Sequence, residues 1–192
     1  IASAQGKEAL ENHFHLGYPI EAVKTGDSLD LGGATLKFVE SKMLHWPDSM
    51  LSHLVEDGVL FSNDAFGMHL ATASRFADEI APEVLREEAA KYYANILLPL
   101  SPILKAFLEK LPGFGLDIRM IAPDHGPLWR RDVSWIVERY AEWAAQKPTK
   151  KAVVVYDTMW GSTAKMARAI GDGLIAGGAN PVLMPLDGAH RS

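Results

Sequence analysis

The chain has 192 residues, 48% of them hydrophobic and 22% charged, with 24 acidic and 19 basic side chains for a formal net charge of -5. That composition suits a globular chain with a core, and it excludes a disordered tail or a basic nucleic-acid footprint. Cysteine is absent, which excludes disulfides, thiolate-held zinc, iron–sulfur clusters and a thiol nucleophile, so any metal must be held by His, Asp or Glu.

No apolar run reaches the roughly eighteen residues of a membrane span. The first residues lack the basic and apolar regions of a signal peptide, so a cytoplasmic location is expected. The chain opens on Ile1 rather than Met and reads as an internal fragment.

In chain order, residues 5–13 suit a short amphipathic helix. Strand-like pieces follow at 20–24, 29–31 and 34–40, separated by Gly26-Asp27 and Gly32-Gly33. Pro47 makes 43–50 an irregular loop. Residues 51–55 and 58–61 read as a hairpin around Glu56-Asp57-Gly58. A helix starts near Pro82, with Val84, Leu85, Ala89, Tyr92, Tyr93 and Ile96 near a 3.6-residue period, and is broken or kinked by Pro99 and Pro102. A second helix, 103–111, stops at Pro112-Gly113. A strand at 117–121 leads to a loop, and 132–145 is a helix with Asp132 placed to meet the positive end of its dipole.

Residues 147–150 are polar, contain Pro148 and read as a linker. The run Lys151-Ala-Val-Val-Val-Tyr156 then has the continuous apolar character of a strand buried in a parallel sheet. A loop, a helix over 163–175, Gly177-Gly178 and a strand over 181–186 complete one βαβ unit. Such a unit, 151–192, is too small to bury a core and reads as the start of a doubly wound domain.

Three loops at strand ends carry ionisable groups. They are Met43–Met50 with His45, Leu60–Gly67 with Asp64, and Ile121–Pro127 with His125. Imidazole and carboxylate suit Fe, Mn or Zn, and two sets sharing one carboxylate would suit a pair of metals. The three do not form a local motif. A His in a loop is more often a surface or hydrogen-bonded residue, and Asp64 could be a simple cap. His13, His15, His53, His69 and His190 lack a comparable context; His13 and His15 read as surface residues, and His69, close after Asp64, reads as structural or, less readily, as a support behind that site.

A fourth loop, Tyr156-Asp157-Thr158-Met159-Trp160-Gly161-Ser162-Thr163, joins a strand to a helix N-terminus. Free backbone N–H groups and three hydroxyls there suit a phosphate, and Gly161 allows close approach. The loop matches neither a Walker A nor a G-x-G-x-x-G pattern, so a single phosphate monoester such as that of FMN fits better than a triphosphate or a dinucleotide. The plainer alternative is that Ser162 or Thr163 caps the helix.

Taken in order, His45-Trp46-Pro47-Asp48-Ser49-Met50, Phe61-Ser62-Asn63-Asp64-Ala65-Phe66-Gly67, Ala122-Pro123-Asp124-His125-Gly126-Pro127 and the 156–163 loop resemble the flavodiiron (A-type flavoprotein) family, which includes rubredoxin:oxygen oxidoreductase. The resemblance covers nearly the whole chain. It implies an α/β architecture. Residues 1–146 would be the C-terminal part of a metallo-β-lactamase-like αββα diiron domain, and 151–192 the first βαβ unit of a flavodoxin-like FMN domain. It further implies that His45 and His125 each ligate one of two non-haem irons, that Asp64 bridges both, and that Thr158, Met159, Trp160, Gly161, Ser162 and Thr163 hold FMN.

The implied activity is reduction of O₂ to water, of NO to N₂O, or both, with electrons from rubredoxin or a similar donor. The implied assembly is a head-to-tail homodimer or a dimer of dimers, with Trp46 at the junction between flavin and iron. Neither nucleic acid nor membrane is an expected partner. The family's first metal motif, H-x-E-x-D-H, is not found in this chain, and neither are the later flavin loops. A stable diiron site is therefore expected of a longer protein. Three rivals remain: a dinuclear zinc hydrolase on the same scaffold, an FMN electron carrier with an inactive first domain, and a purely structural fragment that binds neither iron nor flavin.

Overall fold

The computed structural model describes residues 1–14 and 17–187; His15 and His190 lie outside the described residues. The chain divides into two compact units, Ile1–Gln146 and a second beginning at Lys147.

The first unit opens with helix α1, Ala4–Phe14. Strands β1 (Ser28–Asp30), β2 (Thr35–Glu40), β3 (Met50–Leu54) and β4 (Val59–Phe61) follow as an antiparallel meander. Strand β5 (Met120–Ala122) then adds parallel to β4, giving the order β1-β2-β3-β4-β5. The parallel step needs a long crossover, and helices α2 (Pro82–Tyr92) and α3 (Ser101–Lys110) lie within it. Helix α4 (Val133–Ala144) comes after β5.

The two faces of the sheet differ by the strand period of two. Val39, Leu51, Leu60 and Ile121 join one buried cluster with Leu85, Ala89 and Tyr92 of α2, Leu104 of α3, and Ile136 and Tyr140 of α4. On the other face, register places Leu36 beside Leu54, Leu54 beside Val59, and Val59 beside Met120. These side chains are half-buried, and Phe61 beyond them is exposed. Apolar residues on both faces are the pattern of a sheet packed on two sides.

Several expected elements shift. The piece at 20–24 is not a strand; Ala22 makes an isolated parallel bridge to Ala2, with Ile20 and Val23 buried. The strand expected at 117–121 begins only at Met120. Upstream of it the chain wraps the β3–β4 turn instead of pairing: Arg119 and Met120 both donate their backbone N–H to the Gly58 carbonyl, and the Asp117 carbonyl meets His53 Nε2 at 3.0 Å. The helix from Pro82 widens into a π turn at Tyr93–Leu97 and tightens to a 3-10 turn at Leu98–Leu100, because Pro99 has no N–H to continue the ladder. Asp132 stands at the N-cap of α4 with φ 51°, but its side chain makes no capping hydrogen bond.

The second unit holds β6 (Lys151–Tyr156) and β7 (Asn180–Pro185), parallel, joined by helix α5 (Ser162–Ala176). Gly171 of α5 faces Leu183 so closely that a Cβ would lie 3.2 Å from its Cδ2. The expected burial of β6 is not met: Val153 and Val155 are 59% and 55% exposed, because α5 is packed against only one side of the two strands.

Candidate metal centre

Three loops meet at the ends of β2, β4 and β5, and each is fixed by its own hydrogen bonds. In the loop 41–49, Met43 donates its N–H to the Trp46 carbonyl at 2.7 Å, Trp46 donates to Ser49 Oγ at 3.1 Å, and Leu44 is buried beneath. His45 is thereby held at the tip. In the loop 62–68, buried Ser62 donates its hydroxyl to the Ala65 carbonyl at 2.6 Å. Phe66 sits at φ 67°, a strained conformation for a bulky residue. It is pinned on both sides: its N–H donates to Tyr140 Oη at 3.0 Å and its carbonyl accepts from Trp129 Nε1 at 2.9 Å.

The loop 123–127 lies directly against 62–68. A Cβ on Gly67 would stand 2.7 Å from the His125 carbonyl oxygen, and one on Gly126 would stand 2.8 Å from that of Met68. Only glycine allows this approach. Asn63 Nδ2 donates to Asp124 Oδ2 at 2.7 Å, and Asp124 N–H donates to the Asn63 carbonyl at 2.9 Å, clamping the two tips together.

The Asp64 carboxylate lies between two imidazoles. His45 Nε2 is 3.2 Å from Oδ2, and His125 Nε2 is 3.1 Å from Oδ1. The three side chains are only partly open to solvent. The sequence-predicted set His45, Asp64 and His125 is thus brought together, although 80 residues separate the two histidines in the chain. The arrangement is two donor pairs sharing a carboxylate. Among the described residues, no group of three or more His, Asp or Glu side chains is placed to hold a metal ion.

The surroundings of His125 bear on whether it could hold a metal. Its Nδ1 lies 3.4 Å from the Met68 carbonyl, an acceptor, which favours the proton on Nδ1. Nε2 then presents a lone pair to a carboxylate oxygen, two acceptors facing each other. A cation standing between them satisfies both. Donors about 2.0–2.2 Å from one ion and near right angles lie about 3 Å apart, matching both pairs here. The three side chains therefore match part of a ligand set, with each imidazole–carboxylate pair also at ordinary hydrogen-bond distance.

Two further side chains lie beside the three: Tyr92, which the sequence reading misses, and His69, for which it leaves a place near Asp64 open. Tyr92 Oη is 3.3 Å from the Asp64 carbonyl and 3.5 Å from His125 Nε2. Burial, with the Asp64 and Asp124 charges adding to it, pushes its phenol far above the usual range, so it is a neutral O–H donor. His69, read as structural, has its ring 5.1 Å from that of His125 and 4.9 Å from that of Tyr92. Helical periodicity shows Tyr92 only as a core residue, whereas the nearness of His69 to Asp64 in the chain is a local pointer. Trp46 is 62% exposed with its ring 6.0 Å from that of His45.

In the second unit the loop 157–161 is braced internally. Asp157 Oδ1 accepts from Thr158 N–H at 2.7 Å, and Thr158 Oγ1 accepts from Gly161 N–H at 2.9 Å. Gly161, at φ 82°, is the N-cap of α5, so neither Ser162 nor Thr163 plays that part. With no side-chain cap, the first-turn N–H groups of α5 remain available to an anion. Met159 and Trp160 stand out into solvent.

Residues 2–126 match the ODP family beta lactamase. The chain is 46% identical over 193 residues to a nitric oxide reductase of Moorella thermoacetica, covering 100% of this chain and 48% of that protein. A solved structure of rubredoxin oxygen:oxidoreductase from Desulfovibrio gigas superposes with a TM-score of 0.92 at 42% identity, covering 98% of this chain and 48% of that one. The flavodiiron protein of Giardia intestinalis gives 0.88 at 34% identity, with 98% and 46% covered. The chain spans about half the length of the relatives it matches.

Proposed function

This chain belongs to the ODP family beta lactamase group, and from that premise we propose that it is part of a flavodiiron oxidoreductase. The reading gives it two non-haem irons and FMN, and has it reduce O₂ to water, NO to N₂O, or both. The observation that carries this is the Asp64 carboxylate, each oxygen facing the Nε2 of a different histidine. His45 and His125 would each hold one iron and Asp64 would join the two. The remaining ligands would come from a further part of the protein, whose second sheet would cover the apolar face of Leu36, Leu54, Val59 and Met120. Oxygen and nitrogen donors leave iron redox-active with open positions for a gas.

Within this reading the chain's own residues position and insulate. The Met68 carbonyl fixes the His125 ring and aims Nε2 at the centre. Tyr92 supplies a protonated hydroxyl at the His125 edge. Leu44, Phe66 and Met68 are buried beneath the three tips and exclude water from below. Thr158, Ser162 and Thr163, with the N-terminus of α5, would take the FMN phosphate, and Met159, Trp160 and Gly161 would border it in a flavodoxin-like second domain. When bound, FMN would supply two-electron storage. Rubredoxin or a similar protein is the proposed donor, a head-to-tail homodimer or a dimer of dimers the proposed assembly, and the cytoplasm the proposed location. No helix among the described residues is long and apolar enough to cross a membrane.

The test is metal and flavin analysis of the full-length protein with O₂ and NO uptake from reduced rubredoxin. Iron and FMN with gas consumption support the reading. Zinc without flavin, with hydrolysis of an ester or amide, points to the hydrolase. Flavin with no gas consumption points to the electron carrier.

A further inference from the structure

A second concave site lies between the start of α2 and the start of α4. The 3-10 turn Ala77–Glu79 and the segment after β5 run side by side there, joined by a bridge between Phe76 and Leu128. They enclose, with the two helix starts, a cavity of about 360 Å³. That is small for a ligand pocket and suits one or two fused rings. Trp129, only 2% exposed, forms the floor with Leu85 and Ala77. Ile80, Pro82 and Trp135 form the walls. None of these residues belongs to the loops that carry His45, Asp64 and His125.

The floor is fixed before anything binds. The Trp129 indole N–H donates to the Phe66 carbonyl at 2.9 Å, and its backbone exchanges two hydrogen bonds with Ile121 at 2.8 and 2.9 Å. The Trp135 ring lies 5.7 Å from that of Trp129, tilted by 31°. An aromatic guest meets two indoles and several aliphatic side chains, and little of the protein has to be ordered to receive it.

The rim decides the charge of the guest. Asp78 is already engaged: its two oxygens accept from Arg130 at 3.0 and 3.1 Å, and Arg130 is itself held over the Phe76 ring. Arg131 stands 3.7 Å from Asp78, too far for a hydrogen bond. Arg86 makes no ion pair among the described residues; its neighbours Glu87 and Glu88 pair with Lys91. Asp132 is the remaining acid on the rim. Two uncommitted guanidiniums against one carboxylate leave a net positive charge above an apolar floor. A guanidinium takes a carboxylate through two parallel N–H bonds.

We propose that this cavity binds a small aromatic carboxylate, with its ring against Trp129 and Trp135 and its carboxylate on Arg86, and with Arg131 adding to the attraction. No bond is made or broken there. The inference stands apart from the diiron reading, since it uses neither the three loops nor the second unit.

Isothermal titration calorimetry of the full-length protein with indole-3-acetate is the test, with indole, tryptamine and L-tryptophan beside it. Saturable binding of indole-3-acetate at one site per chain is expected, with neutral indole and cationic tryptamine weaker by about tenfold or more. L-Tryptophan separates two sources of the carboxylate: binding tighter than indole-3-acetate marks an amino acid with its ammonium on Asp132, weaker binding marks a simple acid, and either supports the class. Arg86→Gln, at an exposed position, should weaken indole-3-acetate by about tenfold or more. Trp135→Ala should weaken every ring-bearing probe, and Lys105→Ala on α3 should change nothing. Circular dichroism melting confirms that the variants fold, and Arg86→Gln carries the test if Trp135→Ala does not. No saturable binding of indole-3-acetate at millimolar concentration, tryptamine binding as tightly as the acid, or binding unmoved by Arg86→Gln overturns the proposal. Iron and flavin content do not enter the readout, so failure here leaves the diiron reading standing, and failure of that reading leaves this one.

Discussion

Gly67→Ala tests the close approach on which the centre depends. A Cβ at this position would stand 2.7 Å from the His125 carbonyl oxygen, 3.1 Å from that of Asp64 and 3.2 Å from His125 Nδ1. Ordinary contact begins near 3.4 Å, so the His125 loop must retreat by about 0.7 Å. Two of the three obstacles are backbone atoms, which no rotamer change removes. The His125 Nδ1 contact with Met68 is already 3.4 Å long and has no slack to share the movement. Overpacking of this kind costs about 1–3 kcal/mol. Falling on the separation between Asp64 and His125, it should weaken iron binding by about 5–150-fold. Iron retention by full-length protein against a graded chelator reads this directly. Gly113→Ala, where a Cβ meets nothing within 4 Å, is the control and should bind as wild type. Iron retention in Gly67→Ala equal to that control would refute the reasoning.

Three further outcomes are expected. Tyr140→Phe leaves the buried Phe66 N–H without an acceptor and should lower stability by about 1–3 kcal/mol, measured by urea denaturation; an unchanged midpoint would contradict the pinning. Asn63 sits at φ 54°, which glycine also adopts, so Asn63→Gly removes the amide bond to Asp124 without backbone strain and should speed iron release with little change in overall unfolding. Arg130 hydrogen-bonds Asp78 at 3.0 Å and holds its carboxyl below the ordinary value. The stability this contributes is therefore present above about pH 4 and fades as pH falls through the lowered value. Arg130→Ala should remove that part of the acid-side slope in melting temperature, and an unchanged slope would count against the pair.

The sequence shows the loops well and their meeting poorly. His45, Asp64 and His125 stand out because each follows an apolar strand and lies among Pro, Gly or Ser residues, a local signal. Their convergence depends on β4 and β5 pairing in parallel across the α2–α3 crossover, with Phe61 opposite Ala122. No local pattern encodes that pairing. Nothing in the sequence singles out Tyr140 or Trp129, since a buried apolar ring and a ring that also anchors a backbone look alike in periodicity. The strand expected at 117–121 was too long because Asp117 and Arg119 obey tertiary bonds to the β3–β4 turn. The run at 151–156 was rightly a strand, but its apolar character did not secure burial, since cover depends on neighbours beyond the strand itself.

The most direct test of the shared carboxylate is iron stoichiometry with Mössbauer spectroscopy on full-length wild type and Asp64→Asn. Two irons per chain, magnetically coupled in the wild type and lost or uncoupled in the variant, are predicted. A wild type with no iron, or a variant that keeps a coupled pair, would contradict the account.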